Sequence, residues 1–211
     1  MVVDERDGLL IIQFAKSPVP GRVKTRMLPT LDAQQACDLH IELLQWTCRI
    51  LCRADLGAVE LQVAGPVDSP AIQACNGFGL DAIGGQYGND LGERMYRAID
   101  EGLSRYRKVI LVGSDCPALD RAYLRQASAV LDSHQVVIGP AEDGGYVLIG
   151  ATAISAEYFN GIVWGQNRVF ADTVRLLDGA GCHWQCLPVL PDVDRPEDLP
   201  GWRALQESEQ R

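Results

Sequence analysis

Short apolar runs alternate with longer amphipathic segments along this chain, and the alternation limits the folds that it can adopt. The runs predict strands at 9–14, 58–64, 107–113, 135–139, 146–150 and 184–188. The amphipathic segments predict helices at 32–52, from residue 89 or 90 to about 106, at 120–131, at 167–179 and directly after residue 196. Strands that alternate with helices indicate a mainly parallel sheet with helices on both faces.

The runs at 135–139 and 146–150 differ from the others, because only a Gly-rich turn joins them. Such a pair is typical of a hairpin and predicts one antiparallel strand in the sheet. A chain of 211 residues suits one well-packed domain, and no repeat or linker-like tract divides it. We therefore predict a single α/β domain over residues 1–211.

Two helix starts carry capping signals. Asp32 is a predicted N-cap, and Glu93 follows Asn89 and Asp90 as the far residue of a capping box. The apolar positions of the first helix keep helical spacing: Ala36, Leu39, Leu43, Trp46, Ile50 and Leu51. Those of the second predict an inner face made of Leu91, Met95, Ala98, Ile99, Leu103 and Tyr106.

Charge and composition exclude several classes of protein. The chain has 19 basic and 28 acidic residues, a formal charge of −9, which disfavours a nucleic-acid groove. Charged residues 4–7 precede the first apolar run, so no signal peptide is predicted, and no run is long enough to span a membrane. The 7 scattered cysteines predict reduced thiols and a cytoplasmic protein. Cys182, His183 and Cys186 lack a fourth ligand at zinc-site spacing.

A basic segment follows the first predicted strand. Residues 14–29 contain Lys16, Arg22, Lys24 and Arg26, and no acid occurs between Gly8 and Leu31. Arg offers a planar fork to phosphate oxygens, and Lys offers a compact charge. The segment therefore predicts a phosphate site, with a solvated basic loop as the alternative.

Acidic residues lie at other predicted turns. Asp115 follows the strand at 107–113, at the sheet edge where α/β proteins bind ligands, and it predicts either a Mg²⁺ ligand or a simple turn. Asp143 lies in the Gly-rich turn, where glycines also let a ligand approach the backbone. We expect one of the acids at 192–198 to cap the last helix, and Asp194 is the candidate N-cap. Asp192 or Asp194 can still turn toward a metal, because the two roles can coexist.

Five segments together resemble a known family. They are Phe14-Ala-Lys-x-Pro-x-Pro-Gly-x-Val-Lys-Thr-Arg, Gln86…Asp90-Leu-Gly-x-Arg-Met, Gly113-Ser-Asp-Cys-Pro, Gly139-Pro-x-x-Asp-Gly-Gly-Tyr and Asp192-Val-Asp-x-Pro-Glu-Asp-Leu. The set resembles the DUF2064 group within the GT-A nucleotide-diphospho-sugar transferase superfamily, whose members include molybdopterin and phospholactate guanylyltransferases. The resemblance covers nearly the whole chain and implies a three-layer α/β/α sandwich. The family usually has Thr where this chain has Gln166 and Arg195.

The resemblance also implies roles for individual residues. Lys24 corresponds to the phosphate lysine, with Arg22 and Arg26 beside it. Gln86 and Gly92 correspond to the segment near the nucleobase. Asp115 corresponds to a metal aspartate and Asp194 to the second metal carboxylate, for Mg²⁺ or Mn²⁺.

These features lead to a hypothesis of a Mg²⁺-dependent transferase that uses a nucleotide. The favoured reaction is nucleotidyl transfer from an NTP to a phosphorylated small molecule, since the dense basic segment suits a triphosphate. Glycosyl transfer from a nucleotide sugar is the alternative, with Asp143 as acceptor base. A nucleotide-binding module without catalysis and a metal-dependent phosphohydrolase that uses Asp115 are the rivals from other classes.

Overall fold

The computed structural model describes residues 8–28 and 30–209. Residues 4–7 and Pro29, which entered the sequence analysis, lie outside these ranges. The strands are β1 (Leu9–Lys16), β2 (Ala58–Ala64), β3 (Ala82–Gly85), β4 (Lys108–Val112), β5 (Val136–Pro140), β6 (Tyr146–Ala151) and β7 (Trp184–Cys186). The helices are α1 (Ala33–Ala54), α2 (Pro70–Gln73), α3 (Leu91–Leu103), α4 (Arg121–Val130), α5 (Val169–Gly179) and α6 (Leu199–Glu209).

The strands form one sheet in the order β3-β2-β1-β4-β6-β5-β7. β6 runs antiparallel to both of its neighbours, and the other pairs are parallel. This confirms the predicted mainly parallel sheet with one antiparallel strand. β1 and β4 lie side by side in the middle of the sheet, so the loops that leave their carboxyl ends meet at one edge.

Different helices cover the two faces of the sheet. Leu9 and Ile11 of β1 share a buried cluster with residues of α1 and α4 on one face. Leu10 and Ile12 point the opposite way and pack with residues of α3 and α5. A strand that is buried on both faces explains the continuous apolar run that the sequence shows. The result is the predicted three-layer α/β/α sandwich.

The C-terminal helix α6 packs on the outer side of α1. The ring of Trp202 meets the ring of Trp46 edge to face, with the centroids 4.9 Å apart. Met27, from the predicted basic segment, is fully buried in the same cluster. This contact ties the basic segment to α1 and α6.

Strand β3 was not predicted from the sequence. Its four residues include Gly84 and Gly85 and lack the alternation that marks a strand. The segment is extended because it pairs with β2, where Leu61 lies opposite Ile83. The structure adds the short helix α2 between β2 and β3 as well.

The structure also corrects two details of the second predicted helix. Leu91, predicted on the inner face, is 40% exposed, and Tyr106 lies beyond the helix end at Leu103. Asp90 caps α3 by accepting from the Glu93 backbone N–H, as expected. The Glu93 carboxylate, however, accepts from the backbone and side chain of Asn89.

Among the described helices, none is both long and apolar enough to cross a membrane. The domain limits of 1–211 stay a prediction, because the described ranges do not include every residue.

A close backbone approach between the α1–β2 turn and β1 gives a test of this packing. A Cβ at Gly57 would lie 2.1 Å from the Leu9 carbonyl oxygen. We expect Gly57→Ala to lower the free energy of unfolding by about 1–3 kcal/mol, as overpacking typically does. Gly77→Ala is the matched control, because nothing lies within 4 Å of its Cβ position. Equal urea midpoints for the two variants would contradict the close approach.

Candidate active site

A cavity of about 610 Å³ opens where β1 and β4 end. Its wall combines the loop after β1, the loop after β4 and parts of more distant segments. Seven of the residues predicted from the sequence line it: Lys16, Arg22, Lys24, Arg26, Gln86, Asp115 and Asp194. The fold therefore brings the basic segment and two acids together at one edge of the sheet.

Lys24 lies inside this wall. Its backbone has φ 49° and ψ 38°, in the left-handed region that few residues other than glycine adopt. The side chain is 2% exposed, and Nζ lies 2.8 Å from Asp115 Oδ1. Nζ also donates to the Val193 carbonyl oxygen. Lys24 thus joins the β4 loop to the segment before α6, and its role toward phosphate stays a prediction.

Arg26 makes a second ion pair across the cavity. Its Nη1 donates to Asp194 Oδ2 at 2.5 Å, and its Nη2 donates to the Gly165 carbonyl oxygen at 2.8 Å. The hydrogen bond and charge of Asp194 raise the pKa of the Arg26 guanidinium. Both carboxylates that the sequence suggested as metal ligands are therefore paired with cations of the basic segment.

The predicted N-cap role of Asp194 is wrong. Arg195 is the N-cap of the 3-10 turn Pro196–Asp198 that leads into α6. Asp198 closes the capping box, because its Oδ2 accepts from the backbone N–H groups of Asp194 and Arg195. The Asp194 side chain is thereby free to face the cavity and Arg26. The sequence alone did not show which of these acids takes part in capping, because each lies near the helix start.

Asp192 belongs to the same acidic group. Burial, followed by the charges of Asp143 and Asp194, raises the pKa of Asp192 to about 6. The backbone N–H of Val193 donates to the Asp115 carbonyl oxygen at 2.8 Å, which holds this segment beside β4. Asp194 shares the lining of the large cavity with Asp115, and Asp192 shares with it the lining of a smaller cavity nearby.

The two residues predicted near a nucleobase have different positions. Gln86 lines the cavity, and its amide nitrogen donates to the carbonyl oxygens of Ala15 and Gln62. Those bonds use both amide protons, which leaves Oε1 as the atom that Gln86 can offer to a ligand. Gly92 does not line the cavity. A Cβ there would lie 2.7 Å from the Trp164 ring, so packing explains this glycine.

Asp143 lines a second, smaller cavity of about 240 Å³. Its Oδ1 accepts from the Gly145 backbone N–H at 2.8 Å, which closes the turn between β5 and β6. The smaller cavity shares Asp115, Gly113 and Trp164 with the larger one. We call the smaller cavity the slot and the larger one the cationic cavity. Asp143 therefore lines a slot that adjoins the cationic cavity.

Sequence reasoning missed a buried polar network under the site. Gln13, fully buried in β1, donates from Nε2 to Ser114 Oγ and to the Leu44 carbonyl oxygen. Ser114 Oγ in turn donates to the Phe14 carbonyl oxygen at 2.9 Å. The network fixes β1, α1 and the β4 loop relative to one another. A glutamine inside an otherwise apolar strand was the available signal.

His40 and Arg94 were also missed, although both line the cavity. His40 Nε2 lies 2.9 Å from the Lys16 carbonyl oxygen, and burial lowers its pKa. Arg94 Nε donates to the Gly88 carbonyl oxygen at 3.0 Å, which leaves its terminal nitrogens available to a ligand. Arg94 adds a cation from α3 to those of the basic segment.

The carboxylates suit a hard divalent cation that is completed by a ligand. Asp115 Oδ1 is buried and has no hydrogen-bond partner, although Lys24 approaches it at ion-pair distance. Within residues 8–28 and 30–209, no group of three or more His, Cys, Asp or Glu forms a complete metal site. Mg²⁺ characteristically takes one or two carboxylates together with substrate phosphates, and this donor set fits that pattern.

The architecture places the protein among GT-A-like nucleotide-diphospho-sugar transferase folds. A structure from Desulfovibrio desulfuricans G20, assigned as a nucleotide-diphospho-sugar transferase, is 32% identical with a TM-score of 0.79, covering 89% of this chain and 82% of its own. A family model described as an uncharacterized protein conserved in bacteria (DUF2064) matches residues 47–166. The chain belongs to this family, as its motifs predicted.

Two more distant structures share the fold alone. The CMP-2-keto-3-deoxy-manno-octonic acid synthetase in complex with CTP is 16% identical with a TM-score of 0.63, covering 96% of this chain and 99% of its own. The 4-diphosphocytidyl-2C-methyl-D-erythritol synthase of Anaerococcus prevotii DSM 20548 is 9% identical with a TM-score of 0.60, covering 98% of both chains. No curated protein matches this chain.

The network under the site leads to a stability prediction. Ser114→Ala removes the acceptor of the buried Gln13 amide and the donor to the Phe14 carbonyl oxygen. We expect a loss of about 1–3 kcal/mol in unfolding free energy, because buried polar groups are left without partners. Ser208→Ala, which removes an exposed bond to the Leu205 carbonyl oxygen, should change little. Matching melting temperatures for the two variants would show that the network is not needed.

Proposed function

We propose that this protein is a Mg²⁺- or Mn²⁺-dependent transferase that uses a nucleotide, and that the reaction is nucleotidyl transfer from an NTP. One observation carries the proposal. Cations of the basic segment and the carboxylates of Asp115 and Asp194 line a single cavity at the carboxyl ends of β1 and β4, where they form two ion pairs. A cavity lined by both cations and carboxylates suits phosphates bound together with a divalent cation.

The phosphates would bind along the basic segment. Lys16 and Arg22 are exposed and line the cavity. Arg94 contributes a further cation from α3. In phosphoryl and nucleotidyl transfer, positioning and charge neutralisation supply most of the catalysis. These side chains would hold the triphosphate in one orientation and stabilise the charge on the departing pyrophosphate.

Asp115 and Asp194 would hold the divalent cation, with Asp192 as the alternative to Asp194. When bound, Mg²⁺ supplies charge neutralisation for the phosphates. Lys24 and Arg26 occupy the carboxylates in the structure, so each would exchange that partner for phosphate oxygens as the nucleotide binds. Gln86 would present Oε1 to an N–H group of the base, because its amide protons bind Ala15 and Gln62.

The comparisons support this proposal at different levels. The Desulfovibrio desulfuricans protein, at 32% identity, carries a transferase assignment. The synthetase in complex with CTP and the Anaerococcus prevotii synthase support only the fold. The choice of nucleotidyl transfer rests on the cationic cavity.

Glycosyl transfer from a nucleotide sugar is the second candidate, favoured by Asp143. This carboxylate lines the slot beside the cationic cavity, where it can accept a proton from an acceptor hydroxyl. The products separate the two reactions. Nucleotidyl transfer releases pyrophosphate, whereas glycosyl transfer releases a nucleoside diphosphate.

A thermal-shift panel of NTPs and nucleotide sugars, each with Mg²⁺ or Mn²⁺, tests the proposal. A ligand that binds the folded protein raises the melting temperature by mass action. We expect stabilisation by at least one NTP that depends on the metal. Binding without turnover across a broad acceptor panel would instead favour a non-catalytic binding module.

The exposed cation Arg22 gives the cleanest test of the phosphate site. Removing one charge-assisted bond to phosphate costs about 1.5–3 kcal/mol, so we expect Arg22→Ala to weaken NTP binding at least tenfold while stability is kept. Arg121→Ala removes an exposed arginine that lies outside the lining of the cavity. Calorimetric titrations that give both variants the wild-type NTP affinity would contradict the phosphate role.

Asp115 gives the corresponding test of the metal site. Asp115→Asn removes the charge that Mg²⁺ requires, so we expect it to abolish metal-dependent NTP binding. Asp120→Asn is the matched control, because Asn retains the capping of α4 that Asp120 provides. An Asp115→Asn variant that titrates Mn²⁺ with wild-type affinity would rule out this residue as a ligand.

A further inference from the structure

The slot has walls of a different chemical character from those of the cationic cavity. Hydrocarbon and aromatic side chains form most of its lining, among them Phe14, Met95, Tyr146, Trp164 and Val169. Gln166 also lines it. Such a lining suits the apolar part of a ligand, and a few polar groups then fix the orientation of that ligand.

Charge also divides the two spaces. The charged residues that line the slot are Asp115, Asp143 and Asp192, and no described Lys, Arg or His joins them. The cationic cavity, in contrast, has Lys16, Arg22, Lys24, Arg26 and Arg94 in its lining. Asp115 is compensated by Lys24, whereas no ion pair joins Asp143 or Asp192 to a described cation. An anion that entered the slot would therefore lose water and meet these unpaired carboxylates.

We propose that the slot binds the acceptor, and that this acceptor is an uncharged molecule with an apolar ring that reacts through a hydroxyl group. The inference rests on the proposed function for the nucleotide that adjoins it. It differs from the phosphorylated acceptor that the sequence suggested, which stays a prediction. The basic segment accounts for the phosphates of the NTP alone.

The size of the slot limits the acceptor. An apolar cavity of about 150 Å³ holds a benzene ring. The slot measures about 240 Å³, which leaves room for one ring with a short hydroxyl-bearing substituent. A second ring would extend out of the slot into solvent.

The bonds formed and broken and the proton are all accounted for in the proposed reaction. The acceptor oxygen bonds to the α-phosphorus, and the bond from the α-phosphorus to the bridging oxygen breaks. Pyrophosphate leaves with that electron pair. The hydroxyl proton passes to Oδ2 of Asp143, since Oδ1 already accepts from Gly145. Asp143 is exposed and can return the proton to water.

A matched pair of probes tests the acceptor class. 2-Phenylethanol and 2-phenylethyl phosphate share a ring and differ in charge. Both are titrated by ligand-observed NMR into protein that holds Mg²⁺ and inorganic tripolyphosphate, which would fill the cationic cavity. We expect the alcohol to bind at least tenfold more tightly than the ester.

Variants of the β5–β6 turn test whether Asp143 causes the preference for the alcohol over the ester. Asp143→Lys should reduce or reverse the preference for the alcohol. Asp143→Asn retains a side-chain oxygen for the Gly145 N–H and should give an intermediate preference. Glu142→Lys makes the same charge change at the exposed neighbour outside the slot lining and should keep the wild-type preference.

Three results would overturn the inference. The first is that the ester binds as tightly as the alcohol, and the second is that neither probe binds. The third is that Asp143→Lys and Glu142→Lys change the preference for the alcohol equally. Calorimetry measures the binding of tripolyphosphate with Mg²⁺ in a separate experiment. If tripolyphosphate fails to bind while the preference for the alcohol is kept, the proposed nucleotide site is rejected and the proposed character of the slot is supported.

Discussion

The ion pair between Lys24 and Asp115 is the contact on which the arrangement of the site depends. Lys24 leaves the basic segment in a left-handed conformation, and its side chain is almost fully buried. Its ammonium group meets the β4 loop at Asp115 and the segment before α6 at the Val193 carbonyl. A buried ammonium requires such partners, because desolvation without them is costly. One side chain therefore positions three segments that are distant in sequence.

The positive and negative charges of the site lie on different segments of the chain. Arg26 repeats the pattern with Asp194, so cations of one loop neutralise acids of two others. On the outer side, exposed Lys16 and Arg22 face the larger cavity. On the inner side, the acids border an apolar slot. The local charges are thereby arranged against the net charge of the chain, as the proposed binding of a polyanion requires.

Sequence reasoning predicted the elements with strong periodicity and the motifs at their ends. β1 and α1 were predictable because apolar spacing reports burial directly. β3 was not, because Gly84 and Gly85 are extended only through pairing with β2. The residues of the cavity were predictable as a set. Their partners were not, since the contacts of Lys24 and Arg26 are set by tertiary packing rather than by spacing.

The central claim is that the carboxylates exchange their cationic side-chain partners for a divalent cation when phosphates bind. Binding of the metal and of the nucleotide must then be coupled, and by linkage each raises the affinity for the other by the same factor. The most direct measurement is a Mn²⁺ titration of the protein with and without a saturating NTP that the panel identifies. The account predicts at least tenfold tighter Mn²⁺ binding to this protein in the presence of NTP, after correction for Mn²⁺ bound by free NTP. Equal Mn²⁺ affinity in the two titrations would contradict it.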